Sequence, residues 1–182
     1  LEDKSTRLGM WQRSVGVGLK GRTLGVIGLG RVGSVVAKVG VAFDMKVIAW
    51  SQNLTEETCA KYGCNLVSKE ELFNQSDVVT VHLLLGERSM GLIGAEEIGM
   101  MKPSSYLINT SRGPIVTEAA LIDALENKTI AGAGIDVFDV EPLPLDHPFR
   151  RLENTVITPH LGYVCDDNYD VYFKGYVEDI RA

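Results

Sequence analysis

Three polar side chains stand out for the chemistry they could do together: Arg112 in Ile108-Asn109-Thr110-Ser111-Arg112-Gly113-Pro114, Glu141 in the stretch from Gly134-Ile135-Asp136 to Glu141-Pro142, and His160 in Thr158-Pro159-His160-Leu161-Gly162. They lie 29 and then 19 residues apart along the chain. A planar guanidinium can hold a carboxylate through two parallel hydrogen bonds, which an ammonium group cannot. An imidazole titrates near neutral pH and can give or take a proton, and a carboxylate beside it favours the charged ring and should raise its pKa. Taken singly, an arginine after a strand is ordinarily a surface ion-pair partner, and a histidine before an apolar residue ordinarily packs or is solvated. Only a shared crevice would make the three a site.

Upstream, Gly28-Leu29-Gly30-Arg31-Val32-Gly33 follows the apolar run Thr23 to Ile27 and opens a helical pattern. A bare G-x-G-x-x-G says little, but between a strand and a helix it predicts a turn that cradles a pyrophosphate. Gly28 allows the tight turn, Gly30 lets phosphates come against the backbone, and Gly33 lets helix and strand pack closely. The helix start adds free amides and a positive dipole end. An acid that binds the adenosine ribose is expected about 20 residues further on. Ser51 stands there, 21 residues after Gly30. Loss of the acid admits a 2′-phosphate, yet no Lys or Arg follows along the chain until Lys61. Ser51, Gln52, Asn53 and Thr55 offer neutral hydrogen bonds to either nucleotide, so these residues leave NAD and NADP open.

Positioning such groups requires an open parallel sheet. Short, continuous apolar runs alternate with longer amphipathic ones, the pattern of βαβ units with helices on both faces. Strands are predicted at Leu24 to Ile27, Lys46 to Trp50, Val78 to Leu84, Tyr106 to Asn109, Ile130 to Ile135 and Thr155 to Thr158. Helices are predicted at Val32 to Phe43, Glu56 to Tyr62, Lys69 to Asn74, Ala95 to Met100 and Glu118 to Asn127, with Ser68 and Thr117 placed to cap two of them. The fold class is α/β, a doubly wound parallel (Rossmann) sheet. Arg112, Glu141 and His160 then all fall at carboxyl ends of strands, the edge where such sheets bind ligands. A last helix, Asp166 to Ile180, spaces Tyr169, Tyr172, Phe173, Tyr176 and Val177 so that one face should be buried, on this domain's own sheet or a linking helix first and on a missing second domain next. Glu141-Pro142-Leu143-Pro144 reads as a rigid bend, and His147 beside Pro148 as a residue that caps its own turn.

These blocks, with the Gly loop and the phrase Met100-Met101-Lys102-Pro103, closely resemble the D-isomer-specific 2-hydroxyacid dehydrogenases, from about Trp11 to Asp179. The resemblance implies a nucleotide-binding domain inserted into a substrate domain that both chain ends would build. It assigns residues 1–20 to inter-domain or dimer contacts, 21–164 to the dinucleotide-binding domain and 165–182 to a linking helix cut short, with the substrate domain absent. A chain that begins without Met and stops at Arg181-Ala182 within a helical pattern is accordingly expected to be a piece of a longer protein. By the same resemblance Arg112 grips the carboxylate and carbonyl of the substrate, His160 moves the proton, and Glu141 orients and charges His160. Asp136 would accept from the nicotinamide carboxamide, and Thr110 and Gly162 would line its pocket. Ser111, in the same loop as Thr110, is expected among the cofactor-binding residues, as are Val32 and Ser89. His82-Leu83-Leu84 would run against the cofactor, Arg31 would reach the pyrophosphate beside Val32, and Ser89 stands where Thr is common. Ser51 replaces the usual Asp, which leaves the choice of cofactor to the family's general leaning towards NAD. Glu141 argues against the formate oxidisers of the superfamily, which carry Gln there.

The expected function is hydride transfer between NAD(P) and a small 2-oxo acid/D-2-hydroxy acid pair. An NAD(H)-sensing corepressor-like regulator on the same fold is the alternative. Lys and Arg number 18 against 24 Asp and Glu, and a net charge of −6 is the wrong sign for holding nucleic acid or anionic lipid. Three cysteines without a C-x-x-C pair suggest neither a disulfide framework nor a metal site. With no apolar run of the roughly 18 residues a membrane span needs, a cytoplasmic protein is expected. Residues 1–20, including Trp11, resemble a segment that reaches a second subunit, so a homodimer is expected; Tyr163, next to Gly162, stays outside the catalytic set.

Overall fold

The computed structural model describes residues 2–181; Leu1 and Ala182, the two ends on which the expectation of a longer chain rests, lie outside the described residues. The strands are β1 (Thr23–Ile27), β2 (Lys46–Trp50), β3 (Asn65–Leu66), β4 (Val78–Val81), β5 (Tyr106–Asn109), β6 (Gly132–Ile135) and β7 (Thr155–Ile157). The helices are α1 (Glu2–Arg7), α2 (Arg31–Ala42), α3 (Glu56–Ala60), α4 (Lys69–Gln75), α5 (Ala95–Met100), α6 (Glu118–Glu126) and α7 (Asp166–Arg181). All strands run parallel in one sheet of order β3-β2-β1-β4-β5-β6-β7. The order reverses between β1 and β4, which opens a crevice at their carboxyl ends.

Register gives this edge its chemistry. Trp50, Ile27, Val81, Asn109, Ile135 and Ile157 pair in one row across the sheet. The next residue of each strand is therefore Ser51, Gly28, His82, Thr110, Asp136 and Thr158, so site candidates scattered through the sequence emerge along a single line. Beneath that line the strands are apolar because helices cover them. Ile27, Val79, Val81 and Leu107 are fully buried in one cluster with Phe73, Ile115 and Leu125, and Val26 is fully buried in a second with Leu24 and Ala37. At the opposite end Asp77 accepts from Thr23 N–H at 2.7 Å and from Lys102 Nζ at 3.0 Å, locking the starts of β1 and β4 together. Burial pushes the Asp77 carboxyl up, but those bonds and the Lys102 and Arg22 charges outweigh it and hold the pKa below its ordinary value.

The structure departs from the sequence expectations in identifiable places. β4 stops at Val81 rather than Leu84, because its neighbour β1 turns away at Gly28 (φ 92°); His82 N–H makes one last bond to Ile27 O at 2.8 Å, and the apolar His82-Leu83-Leu84 leaves the sheet. The two-residue β3 is too short to carry a periodic signal. Ser68 caps α4 through a reciprocal box with Glu71, whereas Thr117 makes no side-chain cap on α6. α7 forms as predicted, but none of its residues is buried; its aromatic groups pack on one another, Tyr169 on Phe173 at 6.0 Å and Tyr172 on Tyr163 at 6.5 Å. Apolar spacing shows that a helix has a greasy face, not what covers it. Cys59 and Cys64 are buried thiols, and burial pushes Cys64 up to about 12. Among the described residues no helix is long and apolar enough to cross a membrane.

Candidate active site

The glycine loop is shaped by contacts that exclude side chains. A Cβ on Gly28 would stand 2.7 Å from the His82 carbonyl oxygen, and one on Gly33 would stand 2.0 Å from Gly28 O, so both are needed for α2 to sit this close to β1 and β4. A Cβ on Gly30 would meet nothing within 4 Å. That open space lies over the first turn of α2, whose Arg31, Val32 and Gly33 amides have no intrahelical partner and receive no side-chain cap. The loop thus fits a diphosphate: donors are free, the dipole end is positive and the approach is clear. Arg31 and Val32 stand exposed at the helix start.

From this loop a cleft of about 810 Å³ runs along the ends of β2 and β4, with Trp50, Ser51, Asn53, Leu83 and Leu84 in its walls. His82, also in the wall, is held by Thr80 Oγ1 at 2.9 Å, and burial pushes its pKa down, so the neutral ring is favoured. This suits a wall better than a proton donor. Ser89 turns inward: its hydroxyl donates to Leu84 O at 2.6 Å and accepts from Gly86 N–H at 2.9 Å, which ties the 84–89 loop into shape.

On the other side of the crossover, His160 Nδ1 and Glu141 Oε2 are 2.8 Å apart, the pairing expected from the sequence. Glu141 also accepts from Phe138 N–H at 2.9 Å. Burial alone would raise its pKa; the bonds to His160 and Phe138, with the His160 and Arg112 charges, outweigh burial and hold the carboxyl below its ordinary value. With Nδ1 engaged, Nε2 is the ring atom that can exchange a proton outward. His160 has φ 56°, a left-handed backbone that histidine adopts more readily than most residues. Asp136 imposes it. Its main-chain oxygen accepts from His160 N–H at 2.8 Å, and its nearly buried carboxylate accepts from Leu161 N–H at 2.8 Å, from Gly162 N–H at 3.1 Å and from the Thr158 hydroxyl. Three of roughly four acceptor positions on that carboxylate are spent on the loop, and the Gly162 amide is spent with them. Beside the pair opens a second cleft of about 600 Å³, lined by Phe138, Leu143, Ile157 and Tyr163, with the Tyr163 ring edge-on to His160 at 5.6 Å.

Arg112 follows β5 on a loop that the buried Asn109 holds from within. Asn109 Oδ1 accepts from Ser111 N–H at 3.1 Å, and its amide donates to Arg112 O at 3.0 Å. The Ser111 hydroxyl donates to Leu83 O, fastening this loop to the one after β4. Ser111 therefore acts as a tie between loops, while Thr110 stands exposed at the edge. The next residue, Gly113, lies so close to the β6 loop that a Cβ would stand 2.2 Å from the Phe138 carbonyl carbon. Asn109 and Gly113 are positioning residues that motif reading passed over, although both stood in the quoted Arg112 block. His147 is structural: Nδ1 accepts from Phe149 N–H, and Nε2 meets Glu118 at 2.9 Å.

Residues 2–162 match the family described as D-isomer specific 2-hydroxyacid dehydrogenase, NAD binding domain. The glyoxylate reductase of Thermococcus litoralis is 41% identical over 169 residues, which is 88% of this chain and 51% of that protein. A phosphoglycerate oxidoreductase structure from Vibrio cholerae superposes with a TM-score of 0.91 at 32% identity, covering 99% of this chain and 60% of the other. D-Lactate dehydrogenase from Aquifex aeolicus, solved with NAD and lactic acid, does so at 0.85 with 34% identity, covering 100% of this chain and 59% of the other. The chain spans about half the length of the glyoxylate reductases it matches.

Proposed function

Because the chain belongs to the D-isomer-specific 2-hydroxyacid dehydrogenase family, as its NAD-binding domain, we propose that it interconverts a small 2-oxo acid and a D-2-hydroxy acid, with His160, Glu141 and Arg112 as its working side chains. The bound nicotinamide supplies the hydride chemistry. Arg112 takes the substrate carboxylate and carbonyl in its guanidinium fork. His160 donates the Nε2 proton to the carbonyl oxygen in reduction and takes it back in oxidation. Glu141 stays ionised beside the ring, stabilises the imidazolium and fixes which nitrogen faces the substrate. Asp136 and Asn109 hold the two loops. The observation that carries this reading is the Glu141–His160 hydrogen bond on the same sheet edge as the open glycine loop.

Steady-state assays of the full-length protein with glyoxylate, hydroxypyruvate and pyruvate test it. His160→Ala should lose at least ~100-fold in turnover, the usual worth of a positioned acid or base, and Arg112→Ala should raise KM for the 2-oxo acid and lower turnover with it. Wild-type turnover in the His160 variant would remove the mechanism. The protein is further proposed to act as a homodimer through its amino-terminal arm, where Trp11 and Val15 are 75% and 97% exposed.

A further inference from the structure

Along the chain no Lys or Arg follows β2 before Lys61, but the fold supplies a cation from elsewhere. Arg88, on the loop after β4, reaches across the mouth of the 810 Å³ cleft and donates from Nη1 to Gln52 Oε1 at 3.3 Å. Gln52 directly follows Ser51, the residue at the place where an acid would bind an adenosine ribose. Arg88 and Gln52 are both exposed, and among the described residues Arg88 enters no ion pair, so its charge is met only by a neutral amide. The contact also turns the Gln52 carbonyl towards the arginine, which leaves the Gln52 NH₂ free to donate. Ser51 and Asn53 line the same wall.

We infer that Ser51, Gln52 and Arg88 form a subsite for the 2′-phosphate of an adenine dinucleotide, so that this chain selects the phosphorylated nucleotide, NADPH, over NADH. The inference rests on the dinucleotide reading of the cleft and refines it. An acid at the end of β2 selects against a 2′-phosphate by like-charge repulsion. With Ser51 there, that repulsion is gone, and a guanidinium provides the planar fork that suits phosphate oxygens. Glu87 lines the cleft as well and is the nearest acid in sequence to Arg88, yet it makes no ion pair with it. The subsite's donors therefore stay available to an incoming anion.

Calorimetric titration of this chain with NADPH and with NADH reads the preference directly. NADPH should bind at least roughly tenfold tighter, the worth of one charge-assisted hydrogen bond, and added salt should narrow the gap because the pair is exposed. Arg88→Ala should abolish most of the difference while NADH binding holds. Ser51→Asp, which returns a carboxylate to the strand end, should invert the preference. Equal or tighter binding of NADH by the unaltered chain, or an Arg88→Ala variant that weakens both nucleotides alike, overturns the subsite and leaves the dinucleotide reading standing. If the unaltered chain binds neither nucleotide, the reading of the cleft falls and the subsite with it.

Discussion

At the scale of single residues, the site rests on side chains held by named partners, Glu141 by the His160 ring and the Phe138 amide among them. Glu141 is the case with a measurable sign. Its pKa is lowered, so the ionised form is the one that the fold favours. The contribution of the Glu141–His160 contact to stability is then complete above the unfolded glutamate value of ~4.3 and fades as pH falls through the lower folded value. Carbon-detected titration of the Glu141 carboxyl should show a midpoint below that of free glutamate, and His160→Ala should move the midpoint upward. A midpoint at the free value in the unaltered protein would show that the hydrogen bond does not hold in solution. Arg112, Glu141 and His160 were all legible in the sequence because each sits in its own short block. Arg88 was not. Its relation to Gln52 spans 36 positions and exists only because the loop after β4 folds back over the end of β2.

At the scale of elements, what could be read was whatever local chemistry decides. β2, β5 and α5 fall where continuous apolar runs or helical spacing put them. Ends that depend on a neighbour were misplaced, as at β4, whose last predicted residues lose their partner when Gly28 turns the chain. Caps show the same division. Ser68 has both halves of a capping box, with Glu71 N–H donating to its hydroxyl at 3.1 Å and its own N–H donating to Glu71 at 2.9 Å. Thr117 has the right residue type but no bond to the first turn. Ser68→Ala should therefore cost about 1 kcal/mol in chemical denaturation, while Thr117→Ala should stay within about 0.5 kcal/mol of the unaltered chain. Equal losses would mean that the two helix starts are held in the same way. Gly113 belongs at this scale too: between an arginine and a proline it looks like a turn residue, and only the approach of the Phe138 main chain reveals it as the spacer between two loops.

Over the whole molecule, apolar side chains left in water mark where the fold alone does not account for the sequence. They gather on the arm at Trp11, Val15 and Val17, on the outer side of α2 at Val35 and Val39, and along α7. Sedimentation velocity tests the part assigned to a second copy. The protein should sediment as a dimer, and Trp11→Ser with Val15→Ser should shift it towards the monomer, since an indole contributes a large share of any apolar contact it makes. A monomer before substitution would end that assignment. The sheet edge has a different character, and the loop from Thr158 to Gly162 shows it. Asp136 gathers that loop from below through its main-chain oxygen and its carboxylate, so the backbone that carries the His160 ring is held by bonds internal to the fold. Binding energy from an arriving nucleotide need not be diverted into ordering this corner; it remains available for affinity and for holding the reactants in register.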